Sequence, residues 1–351
     1  MAGSSYGEAF KITTYGESHG VSVGVIVEGV TPGVEIDERY IQRQMDRRKP
    51  GQSSVTSPRK EYDTIHIESG VFEGRTTGTP LFIVLRNHDM LPDAYSDIQH
   101  SYRPGHADFT YLQKYGLRDH RGSGRASGRE TAARVAGGAV ARKMLERRGV
   151  EVVAYTRAIG GIQCQSFDEA VIEQNAVRAC DAEAAAEMIR YIEQLAADGD
   201  SCGGIVECRI RGVMPGLGEP VFDKLDAELA KSMLSIGAVK GIEFGAGFEA
   251  AAMRGSEHND GMNESGFTSN HAGGIIGGIS TGQEIVFRIS VKPTSSISLP
   301  QQTVNVNGEE QQIQTIGRHD PCICPRIVPV VEAMACLVVE DMYKRQAAMH
   351  G

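Results

Sequence analysis

The strongest constraint on the fold is a helix whose start and end are both marked by specific residues. Ser127 and Glu130 have the Ser-x-x-Glu spacing of a capping box, in which each side chain bonds to the other residue's backbone N–H. Apolar residues then recur with helical spacing until Gly149, a residue type that often ends helices. The pattern predicts a helix over residues 128–148.

The segment that leads into this helix is rich in glycine and arginine. Arg121, Arg125 and Arg129 follow one another closely, with Arg118 before them and Arg134 after them. A helix N-terminus carries a partial positive charge of about 0.5 together with unpaired N–H groups, and the arginines add to this charge. The segment predicts an anion site, although an ordinary capped helix with solvated arginines would have the same sequence. Its glycines do not have the G-x-G-x-x-G spacing of a Rossmann dinucleotide site.

Other segments have the patterns of strands, hairpins and further helices. Strands are predicted over residues 21–28, 64–72 and 79–86. Two dipeptides, Thr281-Gly282 and Asn307-Gly308, predict hairpin turns, which makes the later sheet antiparallel. The predicted hairpins join 277–280 to 284–291 and 303–306 to 311–316. Further helices are predicted over 182–197, 223–236 and 329–344, the last with Pro329 in its first turn.

This mixture of helices and antiparallel hairpins indicates an α+β fold, with α/β as the alternative. No Pro/Gly/Ser-rich linker or charge run divides the chain, so we expect a single domain over residues 1–351. The seven cysteines are scattered and lack paired CxxC spacing, which favours reduced, structural thiols. No apolar run is long enough to span a bilayer, and we therefore expect a soluble, cytoplasmic protein without a membrane partner.

Charge is distributed unevenly along a chain that is acidic overall. The 351 residues carry a formal net charge of −9, and 40% of them are hydrophobic, which is ample for a core. Residues 1–150 hold 21 Lys and Arg against 18 Asp and Glu, whereas the remainder holds 15 against 27. A basic pocket in an acidic protein suits a small anionic ligand better than a nucleic acid.

Three short segments framed by glycine or proline carry histidines, and in two of them an aspartate follows. They are Gly16-Glu17-Ser18-His19-Gly20, Arg103-Pro104-Gly105-His106-Ala107-Asp108 and Gly317-Arg318-His319-Asp320-Pro321. Histidine gives and takes protons near neutrality, so the segments predict one proton-handling site assembled by folding. Buried, hydrogen-bonded histidines are an equal alternative for His19 and His106, and an Asp-Pro turn is the alternative for His319 and Asp320. The spacing H-x-x-x-H is absent, and no metal site is predicted.

Two later segments are also suited to ligand contacts. Residues 292–296, Lys-Pro-Thr-Ser-Ser, offer an ammonium and three hydroxyls in sequence, as a phosphate cradle would, although such segments are more often simple turns. Residues 270–274 and the pair Gly277-Gly278 permit close approach of a flat ligand or of another strand.

Taken together, these segments resemble the chorismate synthase family. The resemblance extends from the first tenth of the chain to the last, in the family's order. It rests on residues 16–20, 103–108, 125–131, 214–220, 239–241, 269–274, 292–296 and 317–321.

The resemblance implies a β-α-β sandwich of mixed or antiparallel sheets around central helices, assembled as a homotetramer. It implies a carbon–oxygen lyase that converts 5-enolpyruvylshikimate 3-phosphate into chorismate and phosphate by anti-1,4-elimination, the last shared step toward the aromatic amino acids. The family's reaction needs reduced FMN without net redox change. Because the chain shows no pyridine-nucleotide domain, we expect an external NAD(P)H-dependent reductase to supply the reduced flavin.

The resemblance also implies roles for individual residues. His19 is the expected acid for the leaving phosphate, His106 manages the proton on the flavin, and Asp320 relays the substrate's ring hydrogen. The residues implied in substrate or NADP binding are Arg48, Arg103 and Arg129. The residues implied in FMN binding are Arg125, Ala126, Ser127, Gly237, Ala238, Gly277, Lys292, Pro293, Thr294, Ser295, Ser296 and Arg318.

Four positions depart from the family pattern. Ala126 stands where serine is usual, Gly128 where alanine is usual, Gly237 where asparagine is common and Ser54 where relatives often have arginine. Side-chain contacts at these positions are therefore not carried over.

Two other functions compete with this interpretation. A flavin-free phosphate lyase or mutase would use only His19 and His106 as acid and base. An RNA or nucleotide docking surface would use the arginine-rich segment, but the acidity of the whole chain argues against it.

Overall fold

The computed structural model describes residues 3–53, 55–57, 61–87, 99–315 and 319–350. The helices are α1 (Glu38–Arg48), α2 (Asp108–Tyr115), α3 (Thr131–Glu146), α4 (Ala182–Ala197), α5 (Leu225–Leu234), α6 (Gly255–His258) and α7 (Cys324–His350). The strands are β1 (Ser5–Tyr6), β2 (Lys11–Gly16), β3 (Ser22–Glu28), β4 (Ile65–Ser69), β5 (Val71–Phe72), β6 (Arg75–Thr76), β7 (Leu81–Arg86), β8 (Glu151–Ile159), β9 (Ile162–Gln163), β10 (Gly204–Arg211), β11 (Val239–Phe244), β12 (Met262–Asn263), β13 (Gly266–Phe267), β14 (Ile275–Ile276), β15 (Ile279–Ser280), β16 (Ile285–Val291), β17 (Gln301–Val304) and β18 (Glu310–Ile313). Short 3₁₀ turns lie at Gly124–Ala126, Gly128–Glu130, Glu169–Gln174 and Gly247–Ala252.

Two five-stranded antiparallel sheets enclose the long helices. The first has the strand order β1-β2-β3-β7-β4, and the second has the order β11-β16-β10-β8-β9. Helix α3 packs on the first sheet, α5 and α7 pack on the second, and α3 packs on α7 between them. The predicted α+β class and the sandwich of sheets around helices are therefore confirmed.

The predicted strands of the first sheet are present, with shorter ends. Alternation in β3 places Val23, Val25 and Val27 in the core with no exposed surface, as a half-buried strand requires. The prediction for residues 64–72 is wrong in one respect, because the strand is interrupted. Gly70 separates β4 from β5 with a φ of +86°, and a Cβ there would lie 2.5 Å from the Cα of Leu81.

One predicted hairpin is confirmed and the other is wrong. Asn307 and Gly308 lie between β17 and β18, which pair as expected. The turn at Thr281-Gly282 instead connects two sheets, since β15 pairs with β14, whereas β16 pairs with β10 and β11. Gly277 and Gly278, with φ of +63° and +83°, turn the chain back onto residues 275–276, and this local pairing displaces the predicted one.

Helix predictions differ from the structure mainly at the ends. Helix α4 has the predicted bounds, whereas α3 and α5 are a few residues shorter than expected. Helix α7 begins at Cys324, so the placement of Pro329 in the first turn is wrong. Pro329 cannot donate a hydrogen bond to the Pro325 carbonyl, but the Arg178 Nη1 donates to that carbonyl at 2.7 Å and takes the place of the missing N–H.

Two glycines allow α3 to fit between the first sheet and α7. A Cβ on Gly137 would lie 3.1 Å from the Cγ2 of Ile12 in β2, and one on Gly138 would lie 2.4 Å from the Cβ of Ala333 in α7. These close contacts fix the middle of α3 between β2 and α7. Among the described helices, none is both long and apolar enough to cross a membrane.

Candidate active site

A cavity of about 1480 Å³ opens where the N-terminal end of α3 meets loops from both sheets. Most of the residues singled out in the sequence line it, although they come from the first, middle and last parts of the chain. These residues are His19, Arg48, Arg103, His106, Arg125, Ala126, Ser127, Arg129, Gly237, Ala238, Lys292, Pro293, Thr294, Ser295, Ser296, His319 and Asp320. Folding therefore brings the three histidine segments together.

Gly277, Arg318 and Ser54 are not among these residues. Gly277 lies in the turn between β14 and β15 and does not line the cavity of its own chain. Arg318 and Ser54 lie outside the described residues.

The start of α3 differs in detail from the predicted capping box. The Ser127 hydroxyl accepts a hydrogen bond from the Arg129 N–H at 3.2 Å, so the first half of the motif is present with a shifted partner. The second half is wrong, because the Glu130 carboxylate binds the Thr14 hydroxyl at 2.9 Å and the Arg134 Nε at 2.7 Å. Glu130 thus ties the helix to β2, and the helix begins with a 3₁₀ turn at Gly128–Glu130.

N–H groups in and just before this turn are already hydrogen-bonded within the protein. Those of Ala126, Ser127 and Glu130 donate to backbone carbonyls of the same segment at 2.8 to 3.3 Å. The anion site expected here consequently depends more on arginine side chains than on helix N–H groups.

His19 lies on the cavity beside its neighbour Ser18. The Ser18 hydroxyl is 3.1 Å from the His19 Nδ1, and Ser18 itself is buried. Gly122 packs against the same nitrogen, since a Cβ on Gly122 would lie only 2.3 Å from it. Any larger residue at position 122 would displace the imidazole, so the ring's orientation depends on this glycine.

His106 is held at both ring nitrogens. Its Nδ1 lies 3.0 Å from the Pro104 carbonyl oxygen and its Nε2 lies 2.7 Å from the Ser296 Oγ. Because a carbonyl oxygen only accepts, Nδ1 carries the proton of the neutral ring and Nε2 accepts from the serine. Burial, followed by the positive charge of Arg103, lowers the pKa of His106 to about 4. His106 is therefore a neutral acceptor at pH 7.

The predicted substrate-binding arginines reach the cavity as members of buried ion pairs. Arg103 forms a two-pronged pair with Asp108, with both nitrogen–oxygen distances at 2.8 Å. Arg48 and Arg129 both bind Asp63, whose side chain has no exposed surface. Although burial acts to raise the pKa of Asp63, the two guanidinium groups hold it below its ordinary value.

Asp63 has no signal in the sequence that marks it as functional, and Asp108 has no predicted role of its own. The only signal for Asp108 is its position five residues after Arg103 in the same framed segment. No spacing rule connects Asp63 to Arg48 and Arg129, which lie 15 and 66 residues away in the sequence.

Arg125 and Lys292 have more accessible surroundings. The Arg125 guanidinium donates to the Gly16 carbonyl at 3.0 Å and to the Thr14 hydroxyl at 2.6 Å, which fixes it against the end of β2. The Lys292 ammonium contacts the Ser295 hydroxyl and donates to the Gly105 carbonyl at 3.1 Å. Burial lowers the pKa of Lys292. Segment 292–296 is thereby joined to the loop that carries His106.

His319 and Asp320 are adjacent in sequence but differ in their contacts. Asp320 accepts from the Ser57 N–H at 2.8 Å and from the Arg326 Nη1 at 2.5 Å, so both of its oxygens have partners. The His319 Nε2 is buried and has no hydrogen-bond partner among the described residues, and the same is true of the Thr294 Oγ1. Burial and Arg103 lower the pKa of His319.

Two backbone positions complete the wall. Gly237 and Ala238 follow α5, and Ala238 has a φ of +75°, which is unusual for a residue with a side chain. The Ala238 carbonyl accepts from the Lys292 N–H at 2.9 Å, so the two segments are joined directly. Within the parts of the chain that the structure describes, no group of three or more His, Cys, Asp or Glu side chains is placed to hold a metal ion.

Comparison with known proteins gives a consistent result over nearly the whole chain. The family model described as chorismate synthase matches residues 10–343. The chorismate synthase of Syntrophobacter fumaroxidans is 57% identical, with 97% of this chain and 97% of the relative covered. That of Chloroflexus aggregans is 53% identical, covering 99% of this chain and 96% of the relative. A solved structure titled "Crystal Structure of Chorismate Synthase" superposes with a TM-score of 0.77 at 30% identity, covering 97% of this chain and 93% of that one. The chain belongs to the chorismate synthase family.

Proposed function

We propose that the cavity is the active site in which this chain carries out the reaction of its family, the anti-1,4-elimination of phosphate from 5-enolpyruvylshikimate 3-phosphate to give chorismate. The observation that carries the assignment is the convergence of His19, His106 and three ion-paired arginines on one cavity of about 1480 Å³. The substrate has a phosphate and two carboxylates, and guanidinium groups bind such anions through paired hydrogen bonds. Arg48, Arg103 and Arg129 are the proposed substrate-binding residues.

His19 is the proposed acid that protonates the leaving phosphate. A protonated phosphate leaves more easily than a dianion, and a positioned proton transfer typically contributes about 10²- to 10⁴-fold to a rate. Ser18 and Gly122 support the role because together they restrict the ring at Nδ1.

The residues present also fit the reduced FMN that the family uses. Thr294 Oγ1 and His319 Nε2 are buried polar atoms of cavity-lining residues without partners among the described residues, and a polar ligand would satisfy such atoms. The proposed FMN-binding residues are Arg125, Ala126, Ser127, Gly237, Ala238, Gly277, Lys292, Pro293, Thr294, Ser295, Ser296 and Arg318. When bound, reduced flavin supplies electron density to the breaking carbon–oxygen bond.

Two side chains of this chain are proposed to handle protons next to the flavin. His106 is neutral, and its Nε2 accepts a hydrogen bond from Ser296, so it takes up a proton at that nitrogen. Asp320, oriented by Ser57 and Arg326, is the proposed relay for the ring hydrogen that the substrate loses.

The proposed assembly is a homotetramer. The structure leaves apolar side chains exposed between residues 221 and 276, among them Phe222, Phe248 and Met262 at 88%, 82% and 69%. Gly277 lies beside the exposed Ile276, so its proposed contact with FMN belongs to the cavity of a neighbouring copy. We further propose a cytoplasmic enzyme that receives reduced flavin from an external NAD(P)H-dependent reductase and that binds neither nucleic acid nor membrane.

The test is anaerobic release of phosphate from 5-enolpyruvylshikimate 3-phosphate by the purified full chain with chemically reduced FMN. We expect turnover with reduced FMN and none with oxidised FMN or without flavin. Shikimate 3-phosphate, which lacks the enolpyruvyl group, is the control substrate and should release no phosphate. Failure of the folded protein to release phosphate would overturn the proposal, and equal turnover without flavin would favour the simple lyase instead.

A further inference from the structure

We propose that Asp63 is a positioning residue of the substrate-anion site, a single buried carboxylate that holds Arg48 and Arg129 in place and sets how strongly they attract an anion. The inference rests on the proposed function, in which these two arginines bind the substrate. Asp63 itself does not line the cavity, so it acts through the arginines.

Asp63 is enclosed by its hydrogen-bond and ion-pair partners. Its side chain has no exposed surface, and one oxygen binds the Arg48 Nη2 while the other binds the Arg129 Nη1. The side chains of Arg48 and Arg129 are only 1% and 4% exposed. The backbone of Asp63 has a φ of +50°, a region that residues with side chains rarely occupy unless their surroundings hold them there. One of those restraints is Gln42, whose Nε2 donates to the Asp63 carbonyl at 3.3 Å.

The remaining donors of the two arginines distinguish this cluster from a purely structural one. The Arg129 Nε donates to the Asn87 Oδ1 at 2.9 Å. The Arg48 Nη1 donates to the Gly128 carbonyl and to the Thr131 hydroxyl, at 3.3 Å each. The Arg48 Nε, however, is buried and has no acceptor among the described residues, although Arg48 lines the cavity. A buried charged donor without an acceptor is costly, and an anion bound in the cavity would supply the missing acceptor.

The charge balance supports the same role. The group formed by Arg48, Arg129 and Asp63 carries one net positive charge, from two guanidinium groups and one carboxylate. That charge attracts the anionic substrate, yet it is smaller than the charge of two unpaired arginines, which would also retain the phosphate product. Asp63 is expected to balance attraction of the substrate against retention of phosphate.

The chain offers a matched comparison in Glu332. This carboxylate is also buried between two arginines, with its oxygen 2.5 Å from an Arg47 nitrogen and 2.7 Å from an Arg142 nitrogen. Glu332 lies in α7 and does not line the cavity. Removing either carboxylate should destabilise the fold, whereas only Asp63 should affect anion binding.

The primary experiment compares Asp63→Asn with Glu332→Gln in steady-state kinetics, with reduced FMN supplied and ionic strength held constant. The amide of Asp63→Asn can accept from one arginine but presents an N–H to the other, so one guanidinium loses its position and the buried positive charge is uncompensated. We expect kcat/KM to fall by about 10-fold or more, while competitive inhibition by inorganic phosphate becomes about threefold stronger. For Glu332→Gln both quantities should stay within about twofold of the original chain, even though thermal stability falls.

Several outcomes would overturn the inference. One is a folded Asp63→Asn variant with unchanged kcat/KM. Another is an Asp63→Asn variant that loses stability while its inhibition by phosphate is unchanged, because a merely structural carboxylate predicts that result. If Asp63→Asn does not fold, Asp63→Glu decides the matter, because it keeps the charge but moves it by one methylene group. Positioning predicts a lower kcat/KM with unchanged inhibition by phosphate, and full activity of Asp63→Glu would contradict it.

Arg129→Lys separates this inference from the proposed function. A lysine keeps the charge but not the planar guanidinium that binds Asp63 and Asn87 at the same time. If Arg129→Lys is impaired while Asp63→Asn is not, only the role of Asp63 fails. If Arg129→Lys is fully active, the assignment of Arg129 to the substrate fails, and the inference about Asp63 fails with it.

Discussion

His106 and His319 both line the cavity, and burial lowers the pKa of each ring, but the protein surrounds them differently. Both nitrogens of His106 have partners, Pro104 and Ser296, so its tautomer is fixed before any ligand arrives. His319 leaves its buried Nε2 without a partner among the described residues. The difference teaches that the protein alone sets the protonation of His106, whereas His319 keeps a buried nitrogen that the proposed ligand would satisfy.

The largest expected effect is on turnover in His106→Ala, with His19→Ala as its counterpart at the leaving phosphate. Both variants should bind FMN, while phosphate release under anaerobic conditions falls at least about 100-fold, because a positioned proton-transfer group is lost. His66→Ala, on an exposed position of β4, is the control and should behave as the original chain does. A normal rate in either cavity variant would remove that histidine from the mechanism.

A smaller effect is expected at His319, and here the sign of the stability change is informative. His319→Leu removes a buried polar atom without a partner, so the melting temperature without ligands should rise by about 1–2 °C. The kcat/KM should nevertheless fall about 10-fold, since the ligand loses a hydrogen bond. His106→Leu should lower the melting temperature because it leaves Ser296 and Pro104 unpaired. A comparable loss of stability in both variants would remove the distinction between the two histidines.

The hydrogen bond from Ser296 provides a finer test of His106. The hydroxyl donates to the neutral ring only, so Ser296→Ala should raise the pKa of His106. The acid limb of the kcat profile should then move to higher pH by about half a unit, because that shift corresponds to the loss of roughly 0.7 kcal/mol of hydrogen bonding. Ser295→Ala is matched in size, but its hydroxyl contacts Gly105 and Lys292, so that limb should not move. A shift of equal size in both variants would assign it to the loop rather than to His106.

The smallest expected effect concerns stability against pH. The pKa of His106 is about 4 in the folded chain, below the value of about 6.5 that an unfolded chain has. The unfolded state therefore binds more protons in this window, and folding stability falls as the pH is lowered. Between pH 7 and 5.5 the contribution is about 1 kcal/mol, measurable by urea unfolding. His106→Gln should lack it, and an identical pH dependence in both proteins would contradict the lowered pKa of His106.

Features of the fold that depend on local signals could be predicted from the sequence. Helix α4 has its predicted bounds because Asp181 caps it, accepting from the N–H groups of Glu183 and Ala184 at 3.0 and 3.1 Å. The predicted start of α7 is wrong for the opposite reason. Arg178, from a distant part of the chain, donates the hydrogen bond to the Pro325 carbonyl that Pro329 cannot donate. Division into domains has no local signal of this kind, and the single domain stays a prediction.

The candidate site could be predicted only in part. Glycine and proline frames identified the loops that carry His19, His106 and His319, and the structure places these on one cavity. The partners that define their chemistry could not be predicted, because Asp63 and Ser296 reach Arg129 and His106 across 66 and 190 residues of sequence. The burial and the ion pairing that decide the protonation of these side chains arise only after folding.

The contact between Gly138 and Ala333 has a consequence for how this enzyme tolerates change. A methyl group on Gly138 would overlap Ala333, so even alanine there would push α3 and α7 apart. The loops that surround the cavity begin at the ends of these helices and of the sheets packed on them. The width of the opening is thus set in the interior, and an alteration far from every reacting atom would change which molecules can enter.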